Sequence, residues 1–322
     1  MAMTTSNSAE LIRSELWSQE LKDVLEEELM GWRYVKQLPE FMDGETFTIP
    51  SIGANTTDDY DEDTDLTFRP MDTGEFQFSI TEYISSGNYI TKKNKQDGYY
   101  MAELEASFVP KQARAIMEHV EAKTFDVAEE GYSANSRELI NGAAHRLSGG
   151  NSAKIEAADF AYAKLALEKA NVPMTGLTAI VPPEVEFYMN TLTNLVDVSD
   201  NPRWEGIIND GIAPTGMRFS RNIYGFDVYV SNFLPDISDS ALSERDGSTN
   251  NNYSSTNGKG CLFFSAASDI LPWVGQWRQL PEVDYQYNMN KQRDEYATTA
   301  RYGVKRYRPE NLVMVASSTT IS

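Results

Sequence analysis

The chain reads Phe160-Ala-Tyr-Ala-Lys-Leu-Ala-Leu-Glu-Lys-Ala-Asn-Val-Pro173 and, after three more residues, Leu177-Thr-Ala-Ile-Val-Pro-Pro-Glu184. The first stretch belongs to a predicted helix over residues 155–170, which ends before Pro173 because the residue preceding a proline disfavours helical geometry. The second stretch predicts a short buried strand over residues 177–181, followed by a further helix over residues 184–195. Helix, strand and helix in this succession indicate a mixed fold.

Two strand-like runs lie closer to the N-terminus, over residues 45–52 and 75–82. In both runs apolar and polar side chains alternate, as they do on a half-buried strand. The apolar side chains on one face are Phe47, Ile49, Phe76, Phe78 and Ile80. With an acidic segment between them, the two runs predict a long two-stranded arm. Because a two-stranded hairpin is marginally stable alone in water, this arm must lie on something else.

Hydrophobic periodicity predicts further helices and strands in the rest of the chain. We predict helices over residues 8–29 and 100–130, strands over residues 223–230, 261–264 and 312–316, and a mobile polar loop over residues 236–260. Pro110 either kinks the long helix or opens its second half as a first helical residue. Because helices and strands follow one another in mixed order, the predicted class is α+β.

Composition excludes several classes of protein. The 322 residues are 41% hydrophobic and carry a formal net charge of −20, which is globular composition with a strong acidic surplus. Such a surface does not wrap nucleic acid, since phosphate binding needs clustered lysine and arginine, but it suits a wall that encloses DNA without adhering to it. A single cysteine, Cys261, excludes a disulfide framework. We expect no membrane-spanning helix and no signal peptide.

Charge is concentrated in two segments of opposite sign. Residues 40–75 hold eleven acids and one base, Arg69, and the densest run is Asp58-Asp59-Tyr60-Asp61-Glu62-Asp63-Thr64-Asp65. Residues 291–308 hold six bases against two acids. The two segments can meet within one chain or between copies, where complementary charge guides docking and register more than it adds affinity. The alternative is two solvated charged faces.

The sequence predicts no catalytic residue and no cofactor. His119 and His145 both lie in predicted helical segments without the spacing of a zinc site, and Cys261 lies in an apolar strand as a buried structural thiol. There is no phosphate-binding loop, no dinucleotide-binding glycine pattern and no nucleophile elbow. The chain therefore lacks the usual sequence signs of an enzyme.

The acidic run matches only the first ligand positions of a calcium-binding loop. Asp59, Asp61, Asp63 and Asp65 resemble the first four ligand positions, whereas the sixth and twelfth positions, which need glycine and glutamate, hold Thr64 and Pro70. We therefore predict no metal site, and interpret the run as a solvated loop or an interface patch.

Four ordered stretches resemble a known family. They are the helix ending in Asn171-Val172-Pro173, the strand ending in Val181-Pro-Pro-Glu184, Ile223-Tyr-Gly-Phe-Asp-Val-Tyr-Val-Ser-Asn-Phe-Leu-Pro235, and Arg301-Tyr-Gly-Val-Lys-Arg-Tyr-Arg-Pro-Glu310. In this order they resemble the major capsid protein of tailed bacteriophages, which has the Hong Kong 97-like capsid fold. The predicted arm and long helix match that family by pattern.

The resemblance implies a division of the chain and a function. It implies an N-terminal arm over residues 1–44, an extended two-stranded loop over 45–98, a spine helix and peripheral domain over 99–150, an axial domain over 151–275 and a return to the peripheral domain over 276–322. The implied function is structural, not enzymatic: self-assembly into hexamers and pentamers of an icosahedral head that encloses double-stranded DNA without reading its sequence.

The implied partners are further copies of the chain, a portal protein and a separate scaffolding protein, the last because only about 44 residues precede the arm. The implied location is the virion capsid, assembled in the host cytoplasm, with no membrane partner. Family members that crosslink covalently use a lysine in the extended loop. Here no lysine occurs between Lys36 and Lys92, so we expect no covalent crosslink.

The candidate assembly interface combines the two charged segments. Its residues are Asp58, Asp59, Asp61, Glu62, Asp63, Asp65, Arg301, Lys305, Arg306 and Arg308. Other interpretations are an encapsulin-like compartment shell, a metal-dependent hydrolase that uses the acidic run, and a tail or decoration protein. The lack of histidine and of a second acidic cluster argues against the hydrolase.

Overall fold

The computed structural model describes residues 29–38, 46–53, 57–59, 61–63, 65, 68–70, 73–97, 101–150, 153–191, 219–239, 241–248 and 258–320. The helix predicted over residues 8–29 falls almost wholly outside these ranges, as does the end of the helix predicted over residues 184–195. Among the described residues, no helix combines the length and the apolar character needed to cross a lipid bilayer.

In the described ranges four helices lie among runs of strands, and the last six strands follow one another without an α-helix between them, so the α+β class is confirmed. The elements are β1 (Val35–Gln37), β2 (Thr46–Ile52), β3 (Thr73–Ser79), β4 (Glu82–Thr91), α1 (Lys92–Asp97), α2 (Met101–Asp126), β5 (Leu139–Ile140), β6 (Ala143–Ala144), β7 (Arg146–Ser148), α3 (Ala157–Lys169), β8 (Leu177–Val181), α4 (Pro183–Thr191), β9 (Phe219–Ile223), β10 (Phe226–Val230), β11 (Gly258–Ser265), β12 (Trp273–Asn288), β13 (Arg293–Arg306) and β14 (Val313–Ser318).

A six-stranded mixed sheet has the order β7-β14-β11-β8-β10-β9. Every residue of β8 is buried, as its sequence, apolar at every position but Thr178, predicts. Helix α3 packs on the sheet, where the rings of Phe160 and Phe263 meet edge to face at 5.0 Å. The strand predicted over residues 312–316 is confirmed, and it lies inside the sheet between β7 and β11.

A four-stranded sheet has the order β1-β12-β13-β4, and α2 packs across it. Gln112 of α2 joins helix to sheet: its Nε2 donates to the carbonyl of Tyr296 (3.2 Å) and its Oε1 accepts from the hydroxyl of Thr298 (2.8 Å). The helix predicted over residues 100–130 is confirmed, and it continues through Pro110. Strand β13 of this sheet is therefore hydrogen-bonded to a long, continuous helix.

The strand predicted over residues 223–230 is two strands joined by a tight turn. Strand β9 ends at Ile223 and β10 begins at Phe226, with Tyr224 at φ 50° and Gly225 at φ 93° between them. Two central residues with positive φ make the kind of turn that reverses an antiparallel pair. The single-strand prediction was wrong because this turn lies inside an apolar run. Its apolar face, Phe226, Val228 and Val230, is buried as expected.

The mobile loop predicted over residues 236–260 is also corrected. In its described part Ile237 and Leu242 are fully buried, and the last three residues, from Gly258, already belong to β11. The polar residues of this segment have partners in the core: Asp239 pairs with the buried guanidinium of Arg146 at 2.6 Å. In the described part of this segment, Asp239 is therefore a polar residue held in a buried ion pair and not one of a solvated loop.

Candidate assembly interface

The arm predicted from the sequence is present as the antiparallel pair β2–β3. Phe47 lies opposite Phe78 and Ile49 opposite Phe76, so the predicted apolar side chains share one face. Phe78 is fully buried, and the ring of Phe76 meets that of Tyr307 at 5.0 Å. The end of the arm near residues 46 and 79 is thus anchored on the four-stranded sheet of its own chain.

The opposite end of the arm, which we call the acidic tip (residues 57–70), is open to solvent in its described part. The six candidate acids, Asp58, Asp59, Asp61, Glu62, Asp63 and Asp65, are all exposed. Asp58 accepts from Arg69 Nη2 at 3.0 Å, an ion pair that holds the two limbs of the tip side by side. Phe68 is 90% exposed. An aromatic ring and six acids with so much exposed surface are available to another molecule.

The four candidate bases lie in different environments. Lys305 Nζ donates to the carbonyl of Gln77 in the arm (2.8 Å) and lies 5.2 Å from the ring centre of Phe76. Arg306 donates to the carbonyl of Ala128 (3.2 Å) and stacks on Tyr132.

Arg301 is partly exposed on β13, opposite Tyr83 of β4, and Arg308 lies over the ring of Tyr307. Among the described residues, no ion pair joins these bases to the acidic tip of the same chain.

A cavity of about 390 Å³ lies at the anchored end of the arm, between β3, α2 and β13; we call it the basal cavity. Its charged lining comprises three cations and two carboxylates: Lys123, Lys305, Arg306, Glu82 and Glu130. The ammonium of Lys123 lies 3.9 Å from Glu82 Oε1 and 4.0 Å from Glu130 Oε2, at the outer limit of an ion pair. The sequence analysis did not identify Lys123, because it lies on α2, far from the basic stretch in sequence.

The hairpin β12–β13 carries further exposed apolar surface that sequence reasoning missed. Leu280, Val283, Tyr285, Tyr287 and Met289 are between 38% and 74% exposed. Exposed apolar side chains clustered on one element mark surfaces that contact other molecules. The alternation of Tyr285 and Tyr287 in β12 was the available sequence signal for this strand.

The described residues contain no cluster of three or more histidine, cysteine, aspartate or glutamate side chains with the geometry of a metal site. Cys261 is fully buried as predicted, and burial raises the pKa of its thiol far above the usual range. His145 Nδ1 donates to the carbonyl of Leu312 at 3.0 Å, since a carbonyl only accepts, and the ring is buried. These groups hold the fold together and are not exposed to a substrate.

The family model described as "Phage capsid protein" matches residues 52–315. The chain belongs to the phage capsid protein family. It is a structural major capsid protein of a bacteriophage, with a structural role and not an enzymatic one. Membership of this family implies self-association, because capsid proteins associate with further copies of themselves to form the shell. No curated protein matches the chain.

Solved phage capsids share the fold of this capsid protein. The Mycobacterium phage Che8 chain has a TM-score of 0.66 at 18% identity, covering 95% of this chain and 97% of that one. The capsid structure of Cyanophage P-SCSP1u has a TM-score of 0.70 at 14% identity, covering 99% and 96%. The Cyanophage Pam1 capsid has a TM-score of 0.64 at 13% identity, covering 100% and 99%. The predicted Hong Kong 97-like capsid fold is confirmed.

Proposed function

We propose that this capsid protein assembles into hexamers and pentamers of an icosahedral head that encloses the double-stranded DNA of a tailed phage. The observation that carries the proposal is the arm β2–β3. One end is anchored on its own sheet, and the described residues of the other end are all exposed, including an almost fully exposed Phe68. A hairpin of this kind is marginally stable alone, so a neighbouring subunit is its natural support.

The proposal includes the division of the chain that the resemblance implies. In this proposal the four-stranded sheet with α2 belongs to the peripheral part, and α3, α4 and strands β8 to β11 belong to the axial part. The six-stranded sheet also includes β7 and β14, which come from the segments that the division assigns to the peripheral domain. The proposed partners beyond the chain itself are a separate scaffolding protein and a portal protein, and the proposed place of assembly is the host cytoplasm. A net charge of −20 supports packaged DNA that is enclosed without tight binding to the general surface of the wall.

Electron microscopy of the expressed chain, with and without a co-expressed scaffolding protein from the same phage, tests the proposal. We expect closed icosahedral shells built from rings of six and five subunits. In virions, the chain should co-purify with DNA that resists nuclease until the head is opened. Tubes or isolated rings under all conditions, or heads that enclose protein cargo and no DNA, would contradict it.

A further inference from the structure

Positively charged side chains outnumber negatively charged ones by one in the lining of the basal cavity. Lys123, Lys305 and Arg306 face it, against Glu82 and Glu130. Within the described residues Lys123 makes no hydrogen bond to either carboxylate, which lie 3.9 and 4.0 Å away. An ammonium has three donor hydrogens and a guanidinium five. Among the described residues Lys305 donates to the carbonyl of Gln77 and Arg306 to that of Ala128, which uses one donor of each and leaves further N–H groups that an added carboxylate can engage.

The volume of the basal cavity, about 390 Å³, falls within the range of about 300–1,000 Å³ that holds small ligands. It therefore has room for one or two carboxylate side chains. Its walls come from four separate elements, since Ser79 ends β3, Glu82 begins β4, Lys123 lies on α2 and Lys305 on β13. The site is thus part of the rigid junction between arm, helix and sheet.

The acidic tip has the complementary chemistry. Among the ion pairs of the described residues only one involves the tip, that of Asp58 with Arg69, and it leaves Asp59, Asp61, Glu62, Asp63 and Asp65 exposed. Several carboxylates within a few residues repel one another, so cations from outside the tip stabilise them. Complementary potentials of this kind fix register between protein surfaces.

The acidic tip lies too far from the basal cavity of its own chain to bind there. Strand pairing runs from Thr46 opposite Ser79, beside the cavity, to Ile52 opposite Thr73. Six residue steps at about 3.4 Å place the far end of the pair roughly 20 Å from the cavity. Beyond the strands, Asp58 and Arg69 form an ion pair that lies only slightly out of this register. The tip therefore points away from the basal cavity.

We propose that the basal cavity of one subunit is the receptor for the acidic tip of a second copy of the chain. This deepens the proposed function and rests on it, because it names the contact by which the arm of one subunit docks on the next. Lys123, which lies outside the basic stretch of the sequence, becomes a docking residue together with Lys305. Arg301, four residues from Lys305 on the same strand, lies outside the lining and is not part of the contact.

A disulfide trap tests the contact directly in the full-length chain. The variant Asp61→Cys/Thr81→Cys places one thiol on the tip and one beside Glu82 at the mouth of the cavity, where Thr81 is exposed. The native Cys261 does not interfere, because it is buried. After oxidation of assembled shells, non-reducing gels should show a ladder of multimers that collapses to monomer on reduction. The control Asp61→Cys/Glu168→Cys, with its second thiol exposed on α3, should remain monomeric.

Assembly kinetics give a second, independent measurement. At low salt, Lys123→Gln and Lys305→Gln should each slow light-scattering growth on the order of tenfold, since steering by charge changes association rates by about 10–1,000-fold. Arg301→Gln should leave the rate near that of the wild type. The double variant Asp61→Asn/Lys123→Gln should slow assembly by less than the product of the two single slowing factors, because both substitutions remove the same contact.

The outcomes separate this inference from the proposed function. The docking contact is overturned if shells form normally but Asp61→Cys/Thr81→Cys gives no ladder. It is also overturned if Arg301→Gln slows assembly and Lys123→Gln does not. Either result leaves the shell function intact. A ladder obtained instead with Glu27→Cys/Thr81→Cys would assign the cavity to the acidic N-terminal segment and also overturn it. If the wild type forms no shells at all, the proposed function fails and the inference fails with it.

Discussion

The guanidinium of Arg306 stacks on the ring of Tyr132, with 3.9 Å between the guanidinium carbon and the ring centre. The same ring contacts Arg146 at 5.5 Å, and Arg146 is bound by Glu129 and Asp239. A base that the sequence assigns to an interface between subunits thus also belongs to a polar cluster that joins β13 to β7 within one subunit. Burial raises the pKa of Tyr132 to about 12, so its ring stays neutral between the two cations.

Replacing Arg306 should therefore destabilise the isolated subunit. We expect Arg306→Ala to lower the free energy of unfolding by about 1–3 kcal/mol, because it removes a cation–π contact and the hydrogen bond to Ala128. Arg301→Ala, at a partly exposed side chain of the same strand, should change it by less than about 0.5 kcal/mol. Urea titration of unassembled protein measures both. Equal effects of the two variants would argue against the role given to Tyr132.

Deleting residues 54–66 should leave a folded subunit that assembles poorly, because the anchored end of the arm, with Phe78 buried, lies outside the deletion. Circular dichroism and thermal unfolding check the subunit, and electron microscopy checks the shells. A second variant in which the same residues are replaced by an equal number of glycines and serines separates loss of the tip from shortening of the arm. If both variants form normal shells, the tip of the arm is not needed for assembly.

Neutralising the acidic tip should slow assembly in a salt-dependent way. Asp59→Asn, Asp61→Asn and Asp63→Asn combined should slow light-scattering growth at low salt and change little at 1 M salt, where the screening length falls to roughly 3 Å. Exposed pairs are worth only about 0–1 kcal/mol each, so subunit stability should hardly change. The control Glu168→Gln/Asp269→Asn removes exposed acids elsewhere. If the tip variant assembles like the control at every salt concentration, the tip is a solvated loop.

The stability of the subunit should fall as the pH drops below about 6.5, in part through His145. Burial is the main cause that lowers the pKa of His145 below its usual value of 6.5. The unfolded chain therefore takes up a proton at a pH where the folded chain does not, and this contribution is complete above pH 6.5 and lost on acidification. One such proton gives a slope of at most about 1.4 kcal/mol per pH unit. Urea titrations between pH 5 and 8 should show a shallower slope for His145→Gln than for His119→Gln.

The mature shell should contain no covalent bond between subunits. The loop between Lys36 and Lys92 has no lysine, and Cys261 is buried. Particles boiled in denaturant with reductant should run as one band at the chain mass of 36.2 kDa. The deliberately trapped double-cysteine variant serves as the positive control under non-reducing conditions. A ladder from the native particle in the presence of reductant would show a crosslink of another kind.

Much of the fold is readable from local pattern. Alternation correctly placed β2 and β3 with their shared apolar face, and a short run that is apolar except at Thr178 correctly placed β8 as a buried strand. The hairpin β12–β13 was missed because Pro281 interrupts the pattern of β12 where the strand pairing itself shifts register. The turn at Tyr224 and Gly225 was missed because aromatic and apolar residues flank it on both sides.

The candidate site was predictable only in part, because it depends on residues that are distant in sequence. The acidic tip stands out by composition and is exposed as that composition predicts. The basal cavity does not stand out, since it joins Lys123 on a helix to Lys305 on a strand near the other end of the chain. Only tertiary packing brings those two ammonium groups to one cavity.

The inner position of β14 has a consequence for translation. This strand pairs in parallel with β7 and antiparallel with β11, so the six-stranded sheet is closed only by residues 313–318. Until these residues have left the ribosome, β7 and β11 have no strand between them, and their facing edges present unpaired backbone groups. A ribosome that stops before this point therefore releases a chain that cannot complete the six-stranded sheet.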